Sequence, residues 1–174
     1  RGMRENASRG FFPGGVVPYG YRRVSVNDGE RTRIKLEPDP ATAPVVRRVF
    51  RECLNGKGLK AIAIGLNKDG VTTRFGKDWS PTSVHNLLRN ETYTGTLVWD
   101  RRKRRTVGKG DAFPAVRVEG AWPPVVDQQS FQDAKRKREA RAPRITHPRV
   151  VSSRYLLSGL IRCKRCETAF TGTV

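Results

Sequence analysis

The sequence predicts a mainly helical α+β chain carrying a small β-hairpin and a strand–loop–strand unit. Three observations predict it. Apolar residues recur at helical spacing in three consecutive segments between residues 45 and 90. Short β-type runs flank those segments. Lys and Arg number 35 against 16 Asp and Glu, a net charge of +19 over 174 residues.

The elements follow in order. "RGMRENASRG" is polar and basic, and reads as the last turns of a helix with Gly10 near its end. "FPGGVVPYG" cannot continue a helix, so residues 1–20 are expected as a linker. "YGYRRVSV" and "RTRIKLE" read as a hairpin around "NDGE", because Asn27-Asp28-Gly29 is a good turn former. Val45, Val46, Val49, Phe50, Cys53 and Leu54 stripe a first strong helix. Arg47, Arg48 and Arg51 fall on its other face, and Asn55-Gly56 stops it. Leu59, Ile62, Ala63 and Leu66 stripe a second helix, with Gly70 after its end.

A connection, "VTTRFGKDW", leads to the third helix, expected over 80–90. Ser80 is a natural N-cap, and Pro81 sits where its missing N–H costs nothing. Val84, Leu87 and Leu88 form its apolar stripe, leaving Thr82, Ser83, His85, Asn86, Arg89 and Asn90 outside it. "YTGTLVWD" reads as a strand, "RRKRRTVGKGDAF" as a charged loop and "PAVRVEG" as a return strand. "VDQQSFQDAKRKREARA" is a fourth helix that Asp127 can cap. The cations of Lys135–Arg138 wrap around it, so part of them face solvent. The expected organisation is a 1–20 linker, a 21–142 domain, a 143–154 linker and a last unit over 155–174.

Composition limits what such a chain does. The self-repulsion of +19 destabilises a compact state unless a polyanion offsets it. Nucleic acid, with a charge about every 1.7 Å of duplex axis, is the fitting partner, and a basic ribosomal or tail-like surface is the alternative. Three Trp and seven Phe mark a folded chain rather than a basic tail. Three Cys make no secreted disulfide framework, and Cys53 reads as a small core residue. The sequence has no signal peptide and no run of about 18 apolar residues, so a cytoplasmic chain with no membrane partner is expected. It opens on Arg1-Gly2 with Met3 as its sole Met, and reads as a piece excised from a longer protein.

Three helices, then a strand and a basic loop, make a winged helix-turn-helix pattern, whose third helix enters the major groove. Asn pairs bidentately with adenine and Arg with guanine, which makes Asn86 and Arg89 the candidate readers. Thr82, Ser83 and His85 share their helix. Arg101, Arg102, Lys103, Arg104 and Arg105 leave a strand just after it and fit a wing on phosphate, or else a solvated loop. Near the end, Cys163 and Cys166 form a CxxC pair, half of a tetrahedral zinc site. Neither His147 nor His85 has convincing spacing to complete it. There is no carboxylate pair at useful spacing, nucleophile elbow or glycine-rich phosphate loop, so no catalytic residue, required cofactor or small-molecule substrate is expected.

Taken together, "PYGY", "IKLEPDPATAPVVRRVFRECLNGKGLKAIAIGLNKDGVTT", "WSPTSVHNLLRNETYTGTLVWDRR", "PPVVDQQSFQDAKRKRE" and "YLLSGLIRCKRC" resemble the recombinase domain of large serine recombinases, the serine integrases and transposases of phages and mobile elements. The resemblance covers nearly the whole chain. It implies a DNA-binding fragment of a site-specific recombinase that recognises attachment half-sites. The resemblance also implies a parent with an N-terminal serine domain cleaving DNA through a phosphoserine linkage. It further implies dimers and tetramers on DNA and a zinc ribbon of which Cys163 and Cys166 are the first knuckle. An N-terminal arm near the minor groove is implied too, with Arg4 and Arg9 as its cations. The chain departs from the pattern at both ends, with no nucleophile and one knuckle, so no catalytic residue carries over. A winged-helix transcriptional regulator fits the same residues without recombination. An RNA-binding protein with a zinc knuckle is a more distant alternative, since the aromatics sit singly at element edges rather than on one sheet face.

Overall fold

The computed structural model describes residues 2–99, 115–141 and 161–166. The chain forms two compact units, Arg1–Arg138 and Glu139–Val174. In the first unit, α1 (Gly2–Ser8) precedes an antiparallel hairpin of β1 (Tyr21–Asp28) and β2 (Arg31–Pro38). Then come α2 (Ala43–Leu54), α3 (Leu59–Lys68) and α4 (Pro81–Leu88). A 3-10 turn (Glu91–Thr94) leads to a second hairpin of β3 (Leu97–Trp99) and β4 (Val116–Val118), and α5 (Gln128–Arg141) follows. Among the described residues, no helix is long and apolar enough to cross a membrane.

The core is built from the stripes that the spacing predicts. Val46, Val49, Phe50 and Cys53 of α2 are buried, as are Ile62, Ala63 and Leu66 of α3 and Val84, Leu87 and Leu88 of α4. Val45 and Leu54, at the margins of the α2 stripe, are half-buried. Arg48 uses its place on the opposite face to join α2 to α3, pairing with Glu52 at 2.9 Å and Asp69 at 2.6 Å. Burial raises the pKa of Glu52, but Arg48 and Lys57 outweigh it and hold the carboxyl below its ordinary value.

The segment expected as a linker joins this core. Ala7 and Val17 are buried in it. Gly20 has φ +89°, and a Cβ there would stand 2.6 Å from Val46 Cγ2, so the chain can pass this close to α2 only as glycine. The first hairpin closes with Asp28 opposite Arg31, so Gly29-Glu30 form its two-residue loop. The Tyr21 hydroxyl donates to the carbonyls of Thr92 and Pro123, tying β1 to the far end of the unit.

The strand expected over "YTGTLVWD" is shorter than its sequence suggests. Asn90 Oδ1 accepts from the Thr92 N–H at 3.1 Å and starts the 3-10 turn instead. Gly95 ends that turn in the left-handed region at φ +79°, where a Cβ would lie 2.5 Å from the Trp122 carbonyl oxygen. The Tyr93 carbonyl accepts from Val125 and Val126, and the Thr92 carbonyl accepts from the Trp122 indole. Groups that a strand would give to a ladder therefore serve the segment entering α5. Asp127 caps α5, its Oδ1 accepting from the Ser130 N–H at 2.8 Å.

Candidate nucleic-acid interface

Helix α4 is the centre of the site. The Ser80 hydroxyl accepts from the Ser83 N–H at 3.1 Å, and Pro81 opens the first turn. Val84, Leu87 and Leu88 turn one face inward, which leaves Thr82 and Asn86 exposed and Ser83 and His85 half-buried. The helix ends earlier than expected. Arg89 is its exposed C-cap, and Asn90 Oδ1 is engaged by the following turn.

Arg89 Nη1 lies 3.5 Å from His85 Nε2. Burial, then the positive charges of Arg138 and Arg89, hold the His85 pKa below the ordinary imidazole value. His85 is therefore mainly neutral near pH 7 and offers one donor and one acceptor.

Beside α4 lies an open cleft of about 560 Å³. Ser83, Asn86 and Leu87 line one side, with Asn90 and Tyr93 beyond them; Val16–Tyr19, Thr73–Phe75 and Lys77–Ser80 line the others. Asn67 fixes the base of the second wall. Its Oδ1 accepts from the Trp79 N–H at 2.7 Å, and its Nδ2 donates to the Trp79 carbonyl at 3.0 Å. The Tyr19 ring meets Trp79 edge-on at 5.1 Å. Arg74 donates to the Val17 carbonyl at 2.7 Å and ties the two walls together. The sequence reading missed this wall. Its one sequence signal is an aromatic between cations, "TRFGK", in a connection too short to bury it.

The other expected cations divide. Arg9 is exposed but engaged, pairing with Asp28 at 2.7 Å and lying over the Phe11 ring at 5.4 Å. Arg4 is half-buried in α1. Arg101, Arg102, Lys103, Arg104 and Arg105 lie outside the described residues, while β3 and β4 on either side of them pair antiparallel as expected. In the second unit, Cys163 is half-buried and Cys166 exposed, with residues 164–166 in a turn. Tetrahedral zinc takes four ligands. Among the described residues, no group of three or more His, Cys, Asp or Glu is placed to hold a metal.

The geometry defines a basic helical domain that presents a short polar helix beside an open cleft. A family model described as Recombinase matches residues 40–141, from the approach to α2 through the end of α5, and the chain belongs to that family. The recombinase domain read from the motifs is thereby borne out. An uncharacterized protein of Escherichia coli strain K12, YbcK, is 27% identical over 150 residues, covering 83% of this chain and 27% of that protein. The chain is also similar to a crystal structure of an LSR–DNA complex, with a TM-score of 0.62 and 18% identity over 98% of this chain and 46% of the other. A structure concerned with the sequence requirements of the Listeria innocua prophage attP site gives 0.56 and 18%, over 87% and 54%. At that identity the structures establish a shared fold. The chain spans about a quarter of the length of the curated relative and about half of each solved chain.

Proposed function

We propose that this chain is the DNA-binding part of a site-specific large serine recombinase, working in the cytoplasm on duplex attachment half-sites. The observation that carries the reading is α4: a capped helix with one face in the core and Thr82, Asn86 and Arg89 exposed. Membership of the Recombinase family and a net charge of +19 support it. Similarity in fold to a protein described in complex with DNA points the same way.

In this reading the domain is a winged helix-turn-helix. Helix α4 lies in the major groove, and the loop between β3 and β4 follows the phosphates with Arg101–Arg105. Arg4 and Arg9 approach the minor groove, Arg9 by exchanging Asp28 for phosphate. Strand cleavage through a phosphoserine linkage and assembly into dimers and tetramers belong to the longer parent. Cys163 and Cys166 are one knuckle of its zinc ribbon, completed from outside the described residues, and metal analysis of the purified chain against a version extended past residue 174 tests that.

Asn86 and Arg89 are the base readers, each bidentate contact being worth about 1–3 kcal/mol of discrimination. Asn86→Ala and Arg89→Ala should each weaken binding to a duplex selected from a random pool by roughly 5- to 150-fold at constant salt. Binding to random duplex should change much less. Equal losses on both duplexes would remove α4 as the reader. Incubated with supercoiled plasmid carrying the selected site, the chain should bind without nicking, and nicked product would overturn the division of labour.

A further inference from the structure

Phe75 is exposed over 72% of its surface, although its turn is built rigidly. The Thr73 N–H donates to the Lys77 carbonyl at 2.8 Å, and the Gly76 N–H donates to the Thr73 carbonyl at 2.9 Å. Thr73 Oγ1 also accepts from the Lys77 N–H at 3.2 Å. Gly76, at φ +68°, supplies the left-handed residue that so tight a turn requires. The Arg74–Val17 bond and the Asn67–Trp79 pair hold the two ends. A single exposed apolar residue needs no explanation by itself. This one differs in being fixed at the tip of a hydrogen-bonded turn and flanked by exposed Arg74 and Lys77. It also lines the same cleft as Ser83 and Asn86. The exposed Asp78 carboxylate lines the cleft too, so its cations Arg74 and Lys77 outnumber its acid two to one, a balance that suits a polyanion offering an apolar group beside α4. In the major groove that group is the C5-methyl of thymine, with which Phe makes apolar contact.

We propose that Phe75 is a specificity-determining residue that packs on a thymine methyl of the bound duplex while Arg74 and Lys77 engage the adjoining phosphates. The proposal rests on α4 lying in the major groove. It adds a second reading element, contributed by a turn rather than a helix.

The test uses the 174-residue chain and a duplex selected from a random pool. Each thymine is replaced singly by uracil, which pairs alike but lacks the methyl. One replacement should weaken wild-type binding by about 4-fold, as expected for one buried methyl group. Phe75→Ala should lose at least as much on the thymine duplex and be indifferent to that same replacement. Full-strength binding by Phe75→Ala, or undiminished sensitivity to every uracil, would overturn the proposal. Asn86→Ala and Arg89→Ala run in parallel separate the two claims: loss of sequence preference in those variants with none in Phe75→Ala sinks the second reader and leaves α4 in place. Sedimentation of DNA-free protein is the remaining arm. Self-association abolished by Phe75→Ala would assign the turn to a second copy of the chain and overturn the proposal.

Discussion

Two regions of the first unit carry cations and use them differently. Around the first hairpin, Arg9 and Arg33 share Asp28, Arg22 pairs with Glu37 across the strands, and the Arg33 guanidinium also donates to Asn6 of α1. Phe11 sits among Arg9, Arg33 and Lys35, each within 6 Å of its ring. Around α4 and the 73–79 turn, Arg74, Lys77 and Arg89 have no carboxylate partner among the described residues; Arg74 meets a carbonyl and Arg89 meets His85. The first set fastens α1 to the hairpin. The second keeps its charge available. Net charge alone therefore overstates the polyanion-binding surface, because a cation that already has an acid must give it up first.

The contrast between the two regions collapses most completely when the helix supporting the second one is undermined. Leu87 is 6% exposed on the inner face of α4 and also forms part of the cleft wall. Leu87→Ala should cost about 2–5 kcal/mol of stability in denaturant unfolding. It should damage specific and random DNA binding together, unlike the polar changes at Asn86 and Arg89.

Salt dependence separates the two sets of cations more finely. Replacing Arg74 and Lys77 with Ala should reduce the log–log salt slope of DNA binding by roughly 0.9 for each phosphate no longer neutralised. Asp28→Asn is the opposite manipulation. It removes an acid and frees Arg9 and Arg33, so the slope should be no smaller than in wild type. Its stability cost should exceed the roughly 0–1 kcal/mol of a surface pair, since only 14% of the Arg33 side chain and 23% of Asp28 are exposed. A slope that falls in Asp28→Asn, or stays fixed without Arg74 and Lys77, would reverse the roles assigned to the two regions.

The smallest expected effect is titration of His85. Its pKa is lowered in the fold, by burial first and by Arg138 and Arg89 next. The unfolded chain thus takes up the proton before the folded one as pH falls. The stability held above the ordinary imidazole pKa of about 6.5 is lost as pH drops through the lower folded value. Followed by NMR, the His85 ring should titrate below about 6.5, and Arg89→Ala should move it upward. An unmoved midpoint would show that the Arg89 charge does not reach the ring.

The helices were legible in the amino-acid order because their signals are local. A stripe at helical spacing, Ser80 ahead of Pro81 and Asn55-Gly56 past the end of α2 each act within one or two turns. The first hairpin was nearly as legible, with Gly29 at its loop. The polar face of α4 followed from the burial of Val84, Leu87 and Leu88, although Asn90 proved to be a cap. Everything else depended on partners far away in the chain. The strand after α4 shortened because Thr92, Tyr93 and Gly95 give their carbonyls to residues 121–126. Ala7 and Val17 joined the core, and the chain passes close to Val46 at Gly20. Arg9 acquired Asp28 only when the hairpin folded back beside α1. Phe75 stands beside Asn86 because Asn67 clamps Trp79 and Arg74 clamps Val17. Spacing specifies what one element needs from its own neighbours; which exposed group meets which partner is set by packing across tens of residues, where no periodicity operates.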